Sequence, residues 1–194
     1  YEGGIRVPAV MEWPAGIQMP RTSAMHSVTT DILPTLCALT GQPLPERPLD
    51  GISLVPALTG NMETRSSPMF FWSFASGKVF DEHAQPYIDP ELQEGTTPLA
   101  KMMNGKYTRS FRNFHYPQIG ENDFGGARTM IGPRYKLVLD QSGNAPIELF
   151  DLENDPGEEI NLSAAKPEVV DTMQQQLYDW QKSVLTSLTG KDYL

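Results

Sequence analysis

The hydrophobic segments in the first part of the chain are short, and turn residues separate them. An apolar run rich in β-branched residues at 5–13 predicts a buried strand. Residues 31–40 predict a short helix, because Asp31 is one of the residues that can cap its start and Gly41 suits the position after its end. A second, smaller helix is predicted at 54–58. This part of the chain therefore combines a strand with helices.

The second part of the chain predicts an antiparallel sheet. Aromatic residues dominate 68–74, which predicts a strand. Three further strands are predicted close together at 127–131, 135–139 and 147–150, and Gln141-Ser142-Gly143-Asn144 predicts a hairpin turn between the last two. Neighbouring strands joined by such short turns pair antiparallel.

A long helix is predicted to close the chain and to pack on that sheet. Pro167 fits a first helical turn, and Gly190 would end the helix. Between them, apolar residues recur every three or four positions, at Val169, Val170, Met173, Leu177, Trp180, Val184 and Leu188. Periodicity is poor from about 75 to 125, which we interpret as a surface excursion with short elements of its own.

Composition and charge exclude several classes of protein. The 194 residues carry 15 Lys+Arg against 24 Asp+Glu, a formal net charge of −9, so nucleic acid is not an expected partner. No apolar run approaches the roughly 20 residues that span a bilayer, so no membrane is expected either. The single cysteine, Cys37, permits neither an intrachain disulfide nor a cysteine zinc cluster.

The acidic loop after the last predicted strand suggests a calcium site, but the spacing of its residues does not fit one. Asp151, Glu153 and Asp155 alternate as in an EF-hand loop. Pro156, however, stands where that loop needs a glycine, and Leu162 stands where it needs a bidentate glutamate. We therefore interpret the segment as a solvated turn, and we expect no metal site in this chain.

Other isolated residues carry weak chemical signals. Cys37 lies among Leu and Ala in the predicted helix and is expected to be a small buried apolar residue. His26 is either a surface residue or a ligand contact, and His115 either lines a pocket or packs under its loop. Asn161 begins an Asn-Leu-Ser glycosylation triplet, which occurs often by chance. No complete catalytic constellation is visible.

Taken in order, several of these segments resemble the sulfatases. Tyr1-Glu2-Gly3-Gly4-Ile5-Arg6-Val7-Pro8 resembles the segment that follows an active-site lysine motif in that family. The resemblance continues through a short helix and a turn to a C-terminal sheet and its acidic loop, in Ser27–Leu36, Leu49–Leu54, Arg134–Leu137 and Glu148–Glu158. It covers about 1–72 and 113–190.

The resemblance implies an α/β fold of the alkaline-phosphatase superfamily, α+β within this chain. On this interpretation, 1–65 ends the large domain, and 66–194 forms a small C-terminal subdomain with an antiparallel sheet, a long helix and the excursion. Sulfatases cleave sulfate esters with a formylglycine made from Cys or Ser in a Cys/Ser-x-Pro-x-Arg motif, and a calcium ion helps to bind the sulfate.

The chain departs from the family at the catalytic centre. Cys37 is followed by Ala38-Leu39-Thr40, which lacks the required Pro and Arg. Formylglycine, the calcium ligands and the active-site lysine are therefore expected outside this chain, before Tyr1, and no catalytic residue is expected within it. The chain should be inactive alone, with the missing N-terminal part of the same protein as its partner.

Three residues are expected at the edge of the substrate pocket. Glu2 and Arg6 should lie beside the sulfate because they adjoin the lysine motif. His115, in Phe114-His115-Tyr116-Pro117, resembles a stretch that some arylsulfatase-like members place near the substrate. The implied substrate is a sulfated carbohydrate or an aryl sulfate, and the implied location of the full-length protein is periplasmic or secreted.

Two alternatives and one physical expectation accompany this hypothesis. A phosphatase or phosphonate hydrolase of the same superfamily would share the motifs described. A noncatalytic carbohydrate-binding or interaction fragment would explain the aromatic residues at 68–74 and 107–116. If the partner half of the sheet is missing, the apolar run at 5–13 should be exposed, with poor solubility or oligomerisation as the result.

Overall fold

The computed structural model describes residues 5–17, 19–74, 119–139 and 146–193. The chain forms two compact units, one of Tyr1–Ser73 with Ala127–Asp179 and one of Phe74–Gly126 with Trp180–Leu194. Most of the predicted excursion and the predicted hairpin turn at 141–144 lie outside the described residues. The predicted domain boundary after residue 65 remains a prediction.

Two helices of the first unit agree with the sequence pattern. Helix α1, Ile32–Thr40, follows a 3₁₀ turn at Thr29–Asp31. It ends at Gly41, whose φ of 69° lies in the left-handed region that glycine tolerates best. The four-residue helix α2, Val55–Leu58, has a proline in its first turn, where the missing N–H costs no helical hydrogen bond. Both predictions are confirmed.

The predicted antiparallel sheet is also confirmed. It consists of β1, Met69–Trp72, β2, Arg128–Ile131, β3, Tyr135–Leu139, and β4, Glu148–Asp151. The strands lie in the order β1-β2-β3-β4, and every neighbouring pair is antiparallel. Among the described strands, the aromatic strand therefore occupies one edge of the sheet, and β4 occupies the other edge.

One face of the sheet carries an apolar row against which the long helix packs. Met130 lies opposite Leu137, and Leu137 lies opposite Leu149 in the strand register. Helix α3 spans Pro167–Leu188, as its apolar stripe predicts, and its Met173 is buried. A β-carbon added to Gly132, just after β2, would lie 3.9 Å from Cε of Met173, which places the helix on this face.

The other face of the sheet buries an ion pair. Lys136 of β3 and Glu158 are each 1% exposed at their side chains, and Lys136 Nζ lies 2.5 Å from Glu158 Oε1. Glu158 has a φ of 57°, the left-handed region that non-glycine residues rarely enter. The ion pair therefore attaches the acidic loop to β3, a central strand of the sheet. Both of its charged groups are buried away from water.

The predicted strand at 5–13 is wrong for this structure. Residues 6–13 contain neither helix nor strand, and Val7 and Val10 are 83% and 98% exposed. A strand needs a neighbour to accept and donate its backbone hydrogen bonds, and no strand in the described residues pairs with this segment. The associated expectation of an exposed apolar run is confirmed.

The second unit is described in part. A 3₁₀ turn spans Glu121–Phe124, and Asp123 Oδ2 accepts the N–H of Gly120 at 2.8 Å. The buried amide of Gln181 donates to the carbonyl of Phe124 at 3.2 Å. This bond joins the C-terminal turns of α3 to the segment before β2 within the unit.

We expect Lys136 and Glu158 to be interdependent. Lys136→Met or Glu158→Leu alone should reduce the free energy of unfolding by about 3–5 kcal/mol, because each removes one half of a buried ion pair. The double variant should recover most of that loss. Chemical denaturation of the four chains measures the coupling, and additive losses would contradict it.

Candidate functional site

The centre of the first unit is a buried ion pair between Asp31 and Arg65. Asp31 is 0% exposed and Arg65 is 7% exposed. The guanidinium donates to both carboxylate oxygens, at 2.6 Å from Nη1 and 2.9 Å from Nη2. This two-bond geometry is the strongest form of an ion pair in proteins and fixes the orientation of both groups.

The same carboxylate also binds the backbone of two loops. The N–H of Val28 and the N–H of Ile52 each donate to Asp31 at 2.9 Å. Burial alone would raise the pKa of Asp31, but the bonds from Arg65 and from the two N–H groups outweigh burial and hold the pKa below its usual value. Asp31 is therefore a charged group with four donors around it.

The loop between α1 and α2 passes very close to this pair. A β-carbon at Gly51 would lie 2.0 Å from the carbonyl oxygen of Thr30, which leaves room for glycine alone. Three residues later, the N–H of Leu54 donates to Thr35 Oγ1 at 2.9 Å, and that hydroxyl donates to the carbonyl of Asp31 at 2.7 Å. The start of α1 thus holds the loop at two points.

A cleft of about 380 Å³ opens beside Arg65. Met69 and Ile131, on the face of the sheet that also carries Lys136, give it an apolar wall, while His26 and Glu153 supply polar groups. The cleft therefore combines apolar surface with polar and charged side chains. We call it the His26 cleft.

Arg6 is the one predicted pocket-edge residue that lies within the described chain. Its Nη2 atom lies 3.2 Å from Nε2 of His26, on the rim of the cleft. Arg6 is exposed, whereas His26 is half-buried. The structure therefore places Arg6, a predicted site residue, next to His26. The sequence alone does not decide whether His26 is a surface residue or a ligand contact. Glu2 and His115 lie outside the described residues.

The acidic loop after β4 is a hydrogen-bonded turn, as the sequence predicts. Asp151 accepts Arg134 Nη2 at 2.6 Å and Asn154 Nδ2 at 3.0 Å, and these bonds hold the pKa of Asp151 well below its usual range. Asp155 accepts the N–H groups of Glu159 and Ile160 at 3.1 and 2.9 Å. Asp151 is therefore bonded to Arg134 as well as to the loop, and Asp155 is bonded to N–H groups of the loop itself.

The described residues offer no place for the expected calcium. No group of three or more His, Cys, Asp or Glu side chains that could hold a metal ion occurs among them. Cys37 is half-buried and lacks the sequence context for formylglycine. Neither cofactor fits the chain where it is described. A search of the same residues for a helix long and apolar enough to span a membrane finds none.

The sequence missed the partnership of Asp31 with Arg65. The sequence places Asp31 at a helix start, but its side chain binds Arg65, Val28 and Ile52 instead of capping α1. The two residues are 34 positions apart, and neither lies in a periodic pattern. A local signal did exist in Gly51, because an Asp-Gly turn can bring one backbone close to another.

No family model matches the sequence, but curated proteins do. Human arylsulfatase A is 32% identical over 179 residues, which cover 90% of this chain and 30% of that protein. N-acetylgalactosamine-6-sulfatase from Canis lupus familiaris is 28% identical over 198 residues, covering 100% of this chain and 33% of that protein. The chain thus spans about a third of the length of these relatives.

A solved structure shares the fold. The Bacteroides fragilis protein yidJ, assigned as a sulfatase, superposes with a TM-score of 0.53 at 16% identity. The superposition covers 94% of this chain and 30% of that protein. At 16% identity the superposition supports a shared fold, and it does not identify the reaction.

The Asp31–Arg65 pair should make stability depend on acid. A carboxylate whose pKa is lowered by folding stabilises the protein above its unfolded pKa, near 4, and loses that contribution as the pH falls through its folded pKa. Asp31→Asn should reduce the free energy of unfolding by about 3–5 kcal/mol at pH 7 and should flatten its decline below about pH 4.

The matched control is Asp171→Asn, on the exposed side of α3. It should leave the free energy of unfolding at pH 7 nearly unchanged. Urea denaturation of the parent, Asp31→Asn and Asp171→Asn chains at a series of pH values measures the stability and its acid dependence. An Asp31→Asn chain with unchanged acid dependence would show that this carboxylate is not the group that titrates.

Proposed function

Because this chain is homologous to a C-terminal part of the sulfatases of the alkaline-phosphatase superfamily, we propose that it is the C-terminal portion of a sulfate-ester hydrolase. In this role it contributes residues at the edge of the substrate pocket and has no activity alone. Formylglycine as nucleophile, and calcium as the ion that binds the sulfate, belong to the part of the enzyme that this chain does not contain.

The distribution of exposed apolar side chains supports this proposal. In the described part of the chain, ten of the twelve large apolar side chains that are exposed lie within residues 5–44. They include Val10 in the extended segment and Leu33 and Leu36 on α1, which are 98%, 42% and 53% exposed. Monomeric proteins rarely leave apolar surface concentrated in this way. We assign it to contact with the rest of the enzyme.

We define this docking region as residues 5–44. Its apolar character suits burial against a large hydrophobic domain, since removal of apolar surface from water is the main driving force of stable association. Arg6 lies within the docking region and contacts His26, so docking would place the guanidinium near the boundary with the catalytic domain. Its charge suits a sulfate group there, and Glu2 and His115, which lie outside the described residues, remain proposed substrate contacts of the complete enzyme.

The substrate class follows from the relatives and remains part of the proposal. Arylsulfatase A and N-acetylgalactosamine-6-sulfatase cover most of this chain in alignment. A Bacteroides thetaiotaomicron protein named delta 4,5-hexuronate-2-O-sulfatase is 30% identical over 166 residues. We therefore propose an aryl sulfate or a sulfated carbohydrate as the substrate, and a periplasmic or secreted location for the complete enzyme.

The reading frame that precedes the codon for Tyr1 tests the reaction. We expect a Cys/Ser-x-Pro-x-Arg motif there, and we expect the extended protein to hydrolyse 4-nitrophenyl sulfate. The present chain should release no nitrophenol. A preference of the extended protein for a phosphate or phosphonate ester would overturn the proposal, as would sulfatase activity of the present chain that depends on one of its own residues.

The docking region should cause self-association of the isolated chain. We expect oligomers in sedimentation velocity, because these apolar side chains of the described residues are exposed to water. Val10→Asp combined with Leu36→Asp should shift the distribution toward monomer. Tyr178→Asp, at a side chain that is 48% exposed on α3 outside the docking region, should leave the distribution unchanged. A monomeric parent chain would contradict this prediction.

Arg6 should affect substrate binding in the extended enzyme. Arg6→Ala should raise KM by roughly tenfold or more, the size of a lost hydrogen bond to a charged group, with a smaller effect on kcat. Lys182→Ala removes an exposed cation from α3 and serves as the control. Equal kinetic constants for Arg6→Ala and the parent enzyme would remove Arg6 from the pocket edge.

A further inference from the structure

The Asn161-Leu162-Ser163 triplet is the single glycosylation sequence in the chain. In the folded chain the side chain of Asn161 makes hydrogen bonds to backbone groups. Asn161 follows the acidic loop and lies beside β4, the outer strand of the sheet. Outer strands carry backbone groups that no neighbouring strand pairs, and such groups invite aggregation unless something covers them. The side chain of Asn161 binds the groups along this edge.

The amide of Asn161 makes three hydrogen bonds. Its Oδ1 atom accepts the N–H of Leu149 at 3.1 Å and the N–H of Ser163 at 2.9 Å. Its Nδ2 atom donates to the carbonyl of Ile147 at 3.1 Å. An asparagine amide has two donor hydrogens and two acceptor positions, so three of its four sites are in use.

The next residue completes the cover of the edge. The N–H of Leu162 donates to the carbonyl of Leu149 at 2.8 Å, so both backbone groups of Leu149 on the open side of β4 are bonded. Leu149 itself is 0% exposed and belongs to the apolar row of the sheet. The triplet therefore acts as a short closing segment for the strand, and Asn161 is its central polar residue.

Glycosylation at Asn161 would use the same nitrogen. In that reaction the sugar C1 atom forms a bond to Nδ2, its bond to the nucleotide or lipid pyrophosphate breaks, and one proton leaves Nδ2. The transferase must bind the triplet in its own site, which requires the segment to leave β4. We infer that the folded chain withholds Asn161 from glycosylation, so that a glycan there and a closed sheet edge exclude each other.

A soluble N-glycosyltransferase that transfers glucose from UDP-glucose to Asn-x-Ser/Thr provides the test. The folded 194-residue chain and a peptide of residues 155–166 are incubated with the enzyme, and intact mass reports the addition of a hexose. We expect the folded chain to react about a hundredfold more slowly, since several hydrogen bonds must open before transfer. Rates within twofold of each other would overturn the inference.

A neighbouring acceptor distinguishes edge closure from general inaccessibility. In a Ser163→Ala background, which removes the native triplet, Ala164→Asn with Lys166→Ser places an acceptor three residues away, at a position that is exposed as Asn161 itself is. The folded control chain should react at a rate close to that of its own peptide. If it reacts as slowly as the parent chain, the protection does not come from the bonds of Asn161, and the inference fails.

Discussion

The first unit depends on the burial of one carboxylate. Asp31 has lost its contact with water completely and replaces it with four donors, two from Arg65 and two from the backbone. A buried charge with fewer partners would favour unfolding. The start of α1, the loop at Gly51 and the segment that leads into β1 therefore have to meet at one point, and the His26 cleft forms beside it.

The sequence predicted the secondary structure correctly wherever an element depends on residues that are close together in the chain. The strands at β2 and β3 and the helix α3 were predicted within a residue or so, because turns, alternation and helical periodicity act over short distances. The segment at 5–13 has an equally apolar composition, but a strand also requires a partner, which sequence composition does not report. The strand prediction at 5–13 failed because no strand in the described residues pairs with this segment.

The site was less predictable than the fold because it is built from distant residues. Arg6 was expected at a pocket edge from its resemblance to a family motif, and the structure adds its contact with His26. Arg65 carried no local signal at all. The spacing of the acidic loop fails the EF-hand pattern, and in the structure Asp151 accepts Arg134 while Asp155 accepts N–H groups of the loop itself.

The Lys136–Glu158 pair constrains how this sequence can change. A replacement of either residue alone leaves a dehydrated charge opposite an apolar or neutral side chain, so intermediates between two viable sequences would be unstable. Related chains should therefore either retain both residues or have exchanged both together. Substitutions at the two positions should therefore be coupled during evolution, although the positions lie 22 residues apart along the chain.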